Sequence, residues 1–195
     1  MLPNAKTYEA LQAQFRWRIP ERFNIGRDCA DKWADGSGRL AILHKQADGA
    51  LVPHSFDWLK KESNRLANAL AAQGVEPGDR VAVLLAQRPE TAVAHIAAYK
   101  LGAIAVPLFV LFGPEALSFR LRDSGAKALI TDAEGLEKIA PLRADLPGLT
   151  CLVTLSGGGE GILGYADLIE RASDAFEPAD TGPDDPAVII YTSGT

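Results

Sequence analysis

The sequence predicts an α/β fold: a mostly parallel sheet with helices on both faces, preceded by a β-hairpin and an N-terminal helical arm. Three observations lead there. From Val75 onward, short unbroken apolar runs alternate with segments of helical periodicity. Strands covered on both faces read as unbroken apolar runs, and their alternation with helices implies parallel strands joined by right-handed crossovers. Glycine closes the helical segments at Gly74, Gly102 and Gly125, where a left-handed residue ends a helix at least cost. Ahead of this alternation, Asp48-Gly49 separates two short strand-like runs, a pair suited to a tight hairpin turn.

The elements follow in order. Thr7 to Arg16 is a short helix, and Trp17, Ile19 and Phe23 are expected to pin the following irregular arm onto the body. Asn24 is an N-cap, with Ile25, Cys29 and Trp33 recurring every four residues on one helical face. Leu40 to His44 and Leu51 to Phe56 are the two hairpin strands, and Ser55 caps a long helix from Asp57 to Gln73. Val81 to Leu85 is the first buried strand. Pro89 then opens a helix where its missing N–H costs nothing. Ala103 to Phe109, Ala128 to Thr131 and Leu149 to Leu155 are further strands. Helices stand between them, one from Gly113-Pro114 to Gly125 and one marked by Leu136, Ile139 and Ala140. Gly157 to Gly161 reads as a surface loop rather than a phosphate loop, because no Lys-Ser/Thr pair follows on a helix. Tyr165 to Ala172 is a short helix and Phe176 to Pro186 a solvated connector. Ala187 to Tyr191 is a last buried strand. There is no internal repeat.

Composition narrows the function classes. The chain has 195 residues, 47% hydrophobic and 23% charged, enough for a packed core without staples. Twenty Lys and Arg against 25 Asp and Glu leave a net charge of −5, without the basic excess of a nucleic-acid binder. Cys29 and Cys151 show no paired spacing, so they read as two reduced, mostly buried thiols. His44, His54 and His95 form no metal-binding spacing. The N-terminus is not a secretory signal, and the longest uncharged run, Leu101 to Pro114, falls short of the roughly 20 residues that span a bilayer. A cytoplasmic protein is expected.

Ligands of parallel sheets bind beyond the carboxyl ends of the strands. That rule points to Thr192-Ser193-Gly194-Thr195, the loop after the last strand. Three hydroxyls and a glycine that exposes backbone N–H groups suit a polyphosphate.

The segment Ile189-Ile190-Tyr191-Thr192-Ser193-Gly194-Thr195 resembles the start of the phosphate loop of the acyl-adenylate-forming, or AMP-binding, enzymes. These include acyl-CoA synthetases, peptide-synthetase adenylation domains and luciferases. Upstream blocks agree in order and spacing: Ser55 to Leu59 with Asn64 to Leu70, Gly78-Asp79-Arg80-Val81-Ala82-Val83, and Tyr99 to Leu108. The text around Phe15-Arg16-Trp17, Phe23-Asn24-Ile25 and Phe109 to Leu117 is most similar to short- and medium-chain acyl-CoA synthetases. The resemblance implies a two-step reaction. A carboxylic acid and ATP, with Mg²⁺, give an acyl-adenylate and pyrophosphate, and coenzyme A then displaces AMP as a thioester. It implies a partial phosphate cradle at Thr192, Ser193, Gly194 and Thr195, with no catalytic and no metal-binding residue in this chain. The family's loop continues into a Thr-Gly and a Pro-Lys-Gly segment, and the chain stops before both. The expectation is therefore an N-terminal piece, inactive alone, with an arm at 1–38 and an α/β subdomain at 39–195. Two alternatives stand beside it: a non-catalytic α/β interaction module from a shortened gene, and a piece of another adenylate-forming enzyme, such as a peptide-synthetase adenylation domain.

Other candidates have plainer readings. Lys100, near a helix end, complements the helix dipole. Asp79 and Arg80 form a local cap or surface pair, and Arg120, Arg122 and Asp123 form a solvated face. Trp17, Phe23 and Trp33 dock the arm rather than line an acyl pocket, and Glu115, Glu134 and Glu137 show no acid–base pairing.

Overall fold

Two apolar faces of one parallel sheet organise the molecule. The computed structural model describes residues 3–192. Five strands, β3 (Arg80–Leu84), β4 (Ile104–Pro107), β5 (Ala126–Thr131), β6 (Cys151–Thr154) and β7 (Leu163–Gly164), pair in the order β4-β3-β5-β6-β7, every pair parallel. Because side chains alternate along a strand, Val81 and Val83 bury into one core and Ala82 and Leu84 into the other. The first core is closed by Leu66 and Leu70 of α3 (Phe56–Ala72), Val93 and Ala97 of α4 (Pro89–Lys100) and Ile169 of α7 (Tyr165–Arg171). The second is closed by Leu117 and Leu121 of α5 (Pro114–Ser124) and Ile139 of α6 (Ala133–Ile139). Each fully buried Val, Leu or Ile among them contributes about 1.5–3 kcal/mol of transfer free energy.

Local signals place the elements. Helix α1 (Tyr8–Gln14) starts at Thr7, whose hydroxyl accepts from the Ala10 N–H. Asn24 caps α2 (Ile25–Cys29) and Ser55 caps α3, accepting from the Arg27 and Trp58 amides at 3.1 Å each. The antiparallel hairpin of β1 (Leu40–Lys45) and β2 (Leu51–Ser55) turns at Gly49, which takes φ +87°. Gly125 ends α5 in the left-handed region. The glycine-rich stretch is a loop, but it leads into the two-residue strand β7, too short to leave a periodic signal.

Four expectations are corrected. The run 187–191 is not a buried strand. It lies parallel to β4 with one bridge, Ala105 to Val188, and two backbone hydrogen bonds of 2.9 Å. It forms the outer edge, so Ile189 and Tyr191 pack on the second core while Val188 and Ile190 are 42% and 67% exposed. Trp17 and Ile19 do not pin the arm, being 80% and 66% exposed. The buried Asn24 does so, its Nδ2 donating to the carbonyls of Tyr99 at 2.8 Å and Ala179 at 3.0 Å. Cys29 is exposed and only Cys151 is buried. Helix α2 meets α4 through the buried Gly26 instead, where a Cβ would stand 2.6 Å from Lys100 Cγ. The connector 176–186 is a bound strap rather than a solvated tether. Its Ala179 N–H donates to the Lys100 carbonyl at 2.7 Å, and Thr181 bonds Phe23 through both backbone and hydroxyl.

Lys100 departs furthest from its reading. Its side chain is completely buried, with Nζ 2.6 Å from Asp31 Oδ1 and donating to Asn64 Oδ1 at 2.6 Å and Ser63 Oγ at 2.9 Å. The dipole belongs to α4 alone, whereas tertiary packing turns the ammonium into a knot joining α4, α3 and the 3₁₀ turn at Asp31–Trp33. Burial pulls its pKa down, and the Asp31 carboxylate opposes that shift.

Two predictions follow from this packing. Asp31→Ala strands the Lys100 charge and lowers the unfolding free energy by about 3–5 kcal/mol, whereas joint Asp31→Leu and Lys100→Met recovers most of the loss. Urea denaturation of the wild type and the two variants checks both. For the thiols, Cys29 reacts with a disulfide reagent in the native chain and Cys151 only after unfolding. Burial pushes Cys151 up to about 11 from 9.0. The unfolded thiol therefore ionises first, and Cys151 subtracts up to about 1.4 kcal/mol of stability per pH unit as pH rises from 9 toward 11. The difference between wild type and Cys151→Ala across that window reads it.

Candidate functional site

In a parallel sheet all carboxyl ends lie together, and here Leu84, Pro107, Thr131 and Thr154 close β3, β4, β5 and β6 at one end. Tight backbone contacts hold this end. The buried Thr131 hydroxyl donates to the Leu84 carbonyl at 3.0 Å. Asp132 caps α6 by accepting from the Gly135 N–H at 3.0 Å. A Cβ at Gly135 would overlap the Thr131 hydroxyl, so the first turn of α6 can approach the sheet only as glycine.

The edge segment carries the chain to this same end. It runs parallel to β4, so Tyr191 and Thr192 emerge on the carboxyl side, with Thr192 exposed. Of the four loop residues singled out in the sequence, the structure places Thr192. Ser193, Gly194 and Thr195 lie outside the described residues.

Tyr191, immediately before the loop, is held by α5. Its hydroxyl donates to Asp123 Oδ2 at 2.7 Å and lies 3.3 Å from the Arg120 carbonyl. The Phe119 ring meets it edge-on, centroids 6.3 Å apart, and the Arg120 guanidinium lies 4.0 Å from the Phe112 centroid and 5.5 Å from that of Tyr191. Burial and then the Asp123 carboxylate raise the Tyr191 pKa. Sequence reasoning assigned Arg120, Arg122 and Asp123 to a solvated face. Arg122 and Asp123 do lie exposed there, but Arg120 and Asp123, three residues apart on one face of α5, also engage Tyr191. That spacing was the signal available, and its partner 71 residues away was not.

The remaining candidates lie elsewhere. Lys100 is sealed in the core. Arg80 is not a local cap: its Nε and Nη2 donate at 2.7 Å to the distant carbonyls of Ser124 and Gly125, closing α5 at the opposite end of the sheet. Asp79 pairs with Lys127 at 2.7 Å. Trp17 and Phe23, with Tyr99, Gly102, Ala103 and Ala187, line a cavity of about 460 Å³. Gly102 and Ala103 precede β4, so this cavity sits at the amino ends, away from Thr192. Trp33 does not join it, packing instead near Phe56 under the Arg39 guanidinium. Glu134 pairs with Lys138 at 2.7 Å, while Glu115 and Glu137 are exposed. Among the described residues, no group of three or more His, Cys, Asp or Glu could hold a metal ion, and no helix is long and apolar enough to cross a membrane.

Comparison with known proteins bears on this arrangement. Residues 32–195 match the family model described as AMP-binding enzyme. Acetyl-coenzyme A synthetase of Escherichia coli K12 is 32% identical, over 92% of this chain and 31% of that protein. The crystal structure of a Brucella canis acyl-CoA synthetase superposes with a TM-score of 0.85 at 30% identity, over 96% of this chain and 36% of that one. That of the anthranilate CoA ligase AuaEII, in complex with anthranoyl-AMP, superposes at 0.80 with 29% identity, over 90% of this chain and 33% of that one. The chain spans about a third of the length of the relatives it matches. With a family match over most of its residues and the same fold in acyl-CoA synthetases, the chain belongs to the AMP-binding enzyme family.

Proposed function

We propose that this chain is the N-terminal part of a cytoplasmic, ATP-dependent acyl-CoA synthetase acting on a short- or medium-chain carboxylic acid. Its parts are the helical arm at 1–38 and the α/β subdomain at 39–195, and Thr192 to Thr195 begin the loop that holds the ATP phosphates. The observation that carries the reading is the direction of the edge segment: parallel to β4, it delivers an exposed threonine to the carboxyl end of the sheet. The family and the relatives' names support the reaction class.

The chemistry sets what the site has to do. ATP supplies an α-phosphorus that a carboxylate can attack with pyrophosphate leaving, and coenzyme A supplies the thiol that takes the acyl group from AMP. This chain's contribution is orientation of the leaving phosphates by hydroxyl and N–H donors on a loop aimed by the sheet. The described carboxylates do not gather beside Thr192 into a metal-binding group, so none of them is assigned to Mg²⁺. The cavity lined by Trp17 and Phe23 is not assigned to the acyl chain, because it opens at the wrong end of the sheet.

Carboxylate-dependent exchange of labelled pyrophosphate into ATP tests the reading. The 195-residue chain is expected to show none. The longer enzyme containing it shows exchange with short or medium carboxylic acids, and forms a thioester once coenzyme A is added. Thr192→Ala in that enzyme slows exchange by about 10- to 100-fold, the cost of one hydrogen bond to a charged group. Exchange by the short chain, or a longer enzyme inert toward every acid of such a panel, would refute the proposal.

A further inference from the structure

Beyond Ile189 the edge segment has lost its backbone support. Ala105 N–H donates to the Ala187 carbonyl and Ile189 N–H to the Ala105 carbonyl, and among the described residues no backbone hydrogen bond ties Ile190, Tyr191 or Thr192 to the sheet. Yet this is where a loop that cradles phosphates has to be aimed, since a displacement of about 1 Å at a reacting group costs on the order of 100-fold in rate. What holds the exit is the Tyr191 side chain.

The hold comes from three directions. The phenol donates to Asp123 Oδ2 at 2.7 Å, in the short range of hydrogen bonds to an ionised acceptor. Phe119, one helical turn from Asp123 on α5, contacts the ring edge-on. Arg120 lies against the ring, and its position is itself secured: Nη1 donates to the Ala116 carbonyl at 2.9 Å, and Phe112, before α5, lies 4.0 Å from the guanidinium. Arg120 Nε is buried and has no hydrogen-bond partner. That cost is accepted where the guanidinium is spent on two aromatic rings rather than on a carboxylate. Helix α5 is in turn fixed to the sheet by Leu117 and Leu121 and capped by Arg80.

We propose that Asp123 and Arg120 are positioning residues, which act through Tyr191 to set the direction in which the chain leaves the sheet at Thr192 and so pre-order the phosphate loop. The inference rests on the phosphate-loop reading above. Neither residue touches ATP. Their effect is on the entropy of the loop before ATP arrives, so their loss weakens ATP binding and leaves coenzyme A binding alone.

Tyr191→Phe removes the hydroxyl and keeps the ring, and Asp123→Ala removes the acceptor. In the 195-residue chain, backbone order parameters at Ile190 to Thr192 are expected to fall from the rigid value of about 0.85 to below about 0.6 in both variants. Those at Ala187 to Ile189 and the melting temperature stay unchanged. In the longer enzyme, each variant raises KM for ATP about 5- to 10-fold in pyrophosphate exchange, without moving KM for coenzyme A. The double variant equals the singles, because Asp123 works only through Tyr191. Unchanged order parameters overturn the proposal, as does a fall in kcat and melting temperature together with a rise in both KM values, which marks a merely structural contact. An inert wild-type enzyme overturns the phosphate-loop reading, and the loop-positioning role with it. Normal ATP kinetics in the variants of an active enzyme overturn the positioning role alone.

Discussion

A parallel sheet has to be covered on both faces, and its strands all point one way. The rest of this molecule depends on that constraint. Each strand sends alternate residues into two separate cores, one closed by α3, α4 and α7 and the other by α5 and α6. Helices are the only short route back from a carboxyl end to an amino end on the same face. The chain therefore returns to the same end of the sheet each time, and the loops that collect there are the ones free to carry chemistry. Thr192 belongs to that end because the edge segment obeys the same direction as its neighbour β4.

The edges show how the constraint is met with unequal resources. At one edge, β7 is two residues long and leads directly into α7, leaving little unpaired backbone. At the other, the segment 187–191 keeps one face on the second core and presents Val188 and Ile190 outward. With backbone pairing limited to Ala187 and Ile189, side chains take over, and α5 holds Tyr191 by hydrogen bond, ring edge and guanidinium.

The N-terminal arm buries Ala30 in the first core, and polar contacts supply the rest of its hold. Asn24 reaches the end of α4 at Tyr99 and the strap at Ala179, and Asn64 and Asn68 of α3 bond Ser173 to Ala175, just ahead of the strap. At the centre of this side Lys100 spends its ammonium on Asp31, Asn64 and Ser63. A buried charge is a poor source of net stability but a strict one for geometry, since misplacing any partner leaves it unpaired. The arm is thereby held in one register against α3 and α4, while its large apolar residues Trp17 and Ile19 stay on the surface.

The sequence by itself determined the fold class, the helix caps at Asn24 and Ser55, the hairpin turn at Gly49, and the order of strands and helices. All of these follow from interactions within a few residues, or from the two- and 3.6-residue periods of a single element. It also carried the family, because the ordered blocks from Ser55 to Thr195 are themselves sequence. It misjudged Lys100, Trp17, Cys29 and the run 187–191, and it did not show that Arg120 and the exposed Asp123 engage Tyr191. Only the tertiary structure decided these, for one reason: each depends on what lies opposite across a distance of dozens of residues. Apolar composition says that Ala187 to Tyr191 forms strand-like contacts, but whether one face or two are covered is set by its place at the edge of the sheet. A lysine near a helix end satisfies the dipole equally well in water or in a core. Packing of α4 against α3 and the arm is what put it in the core.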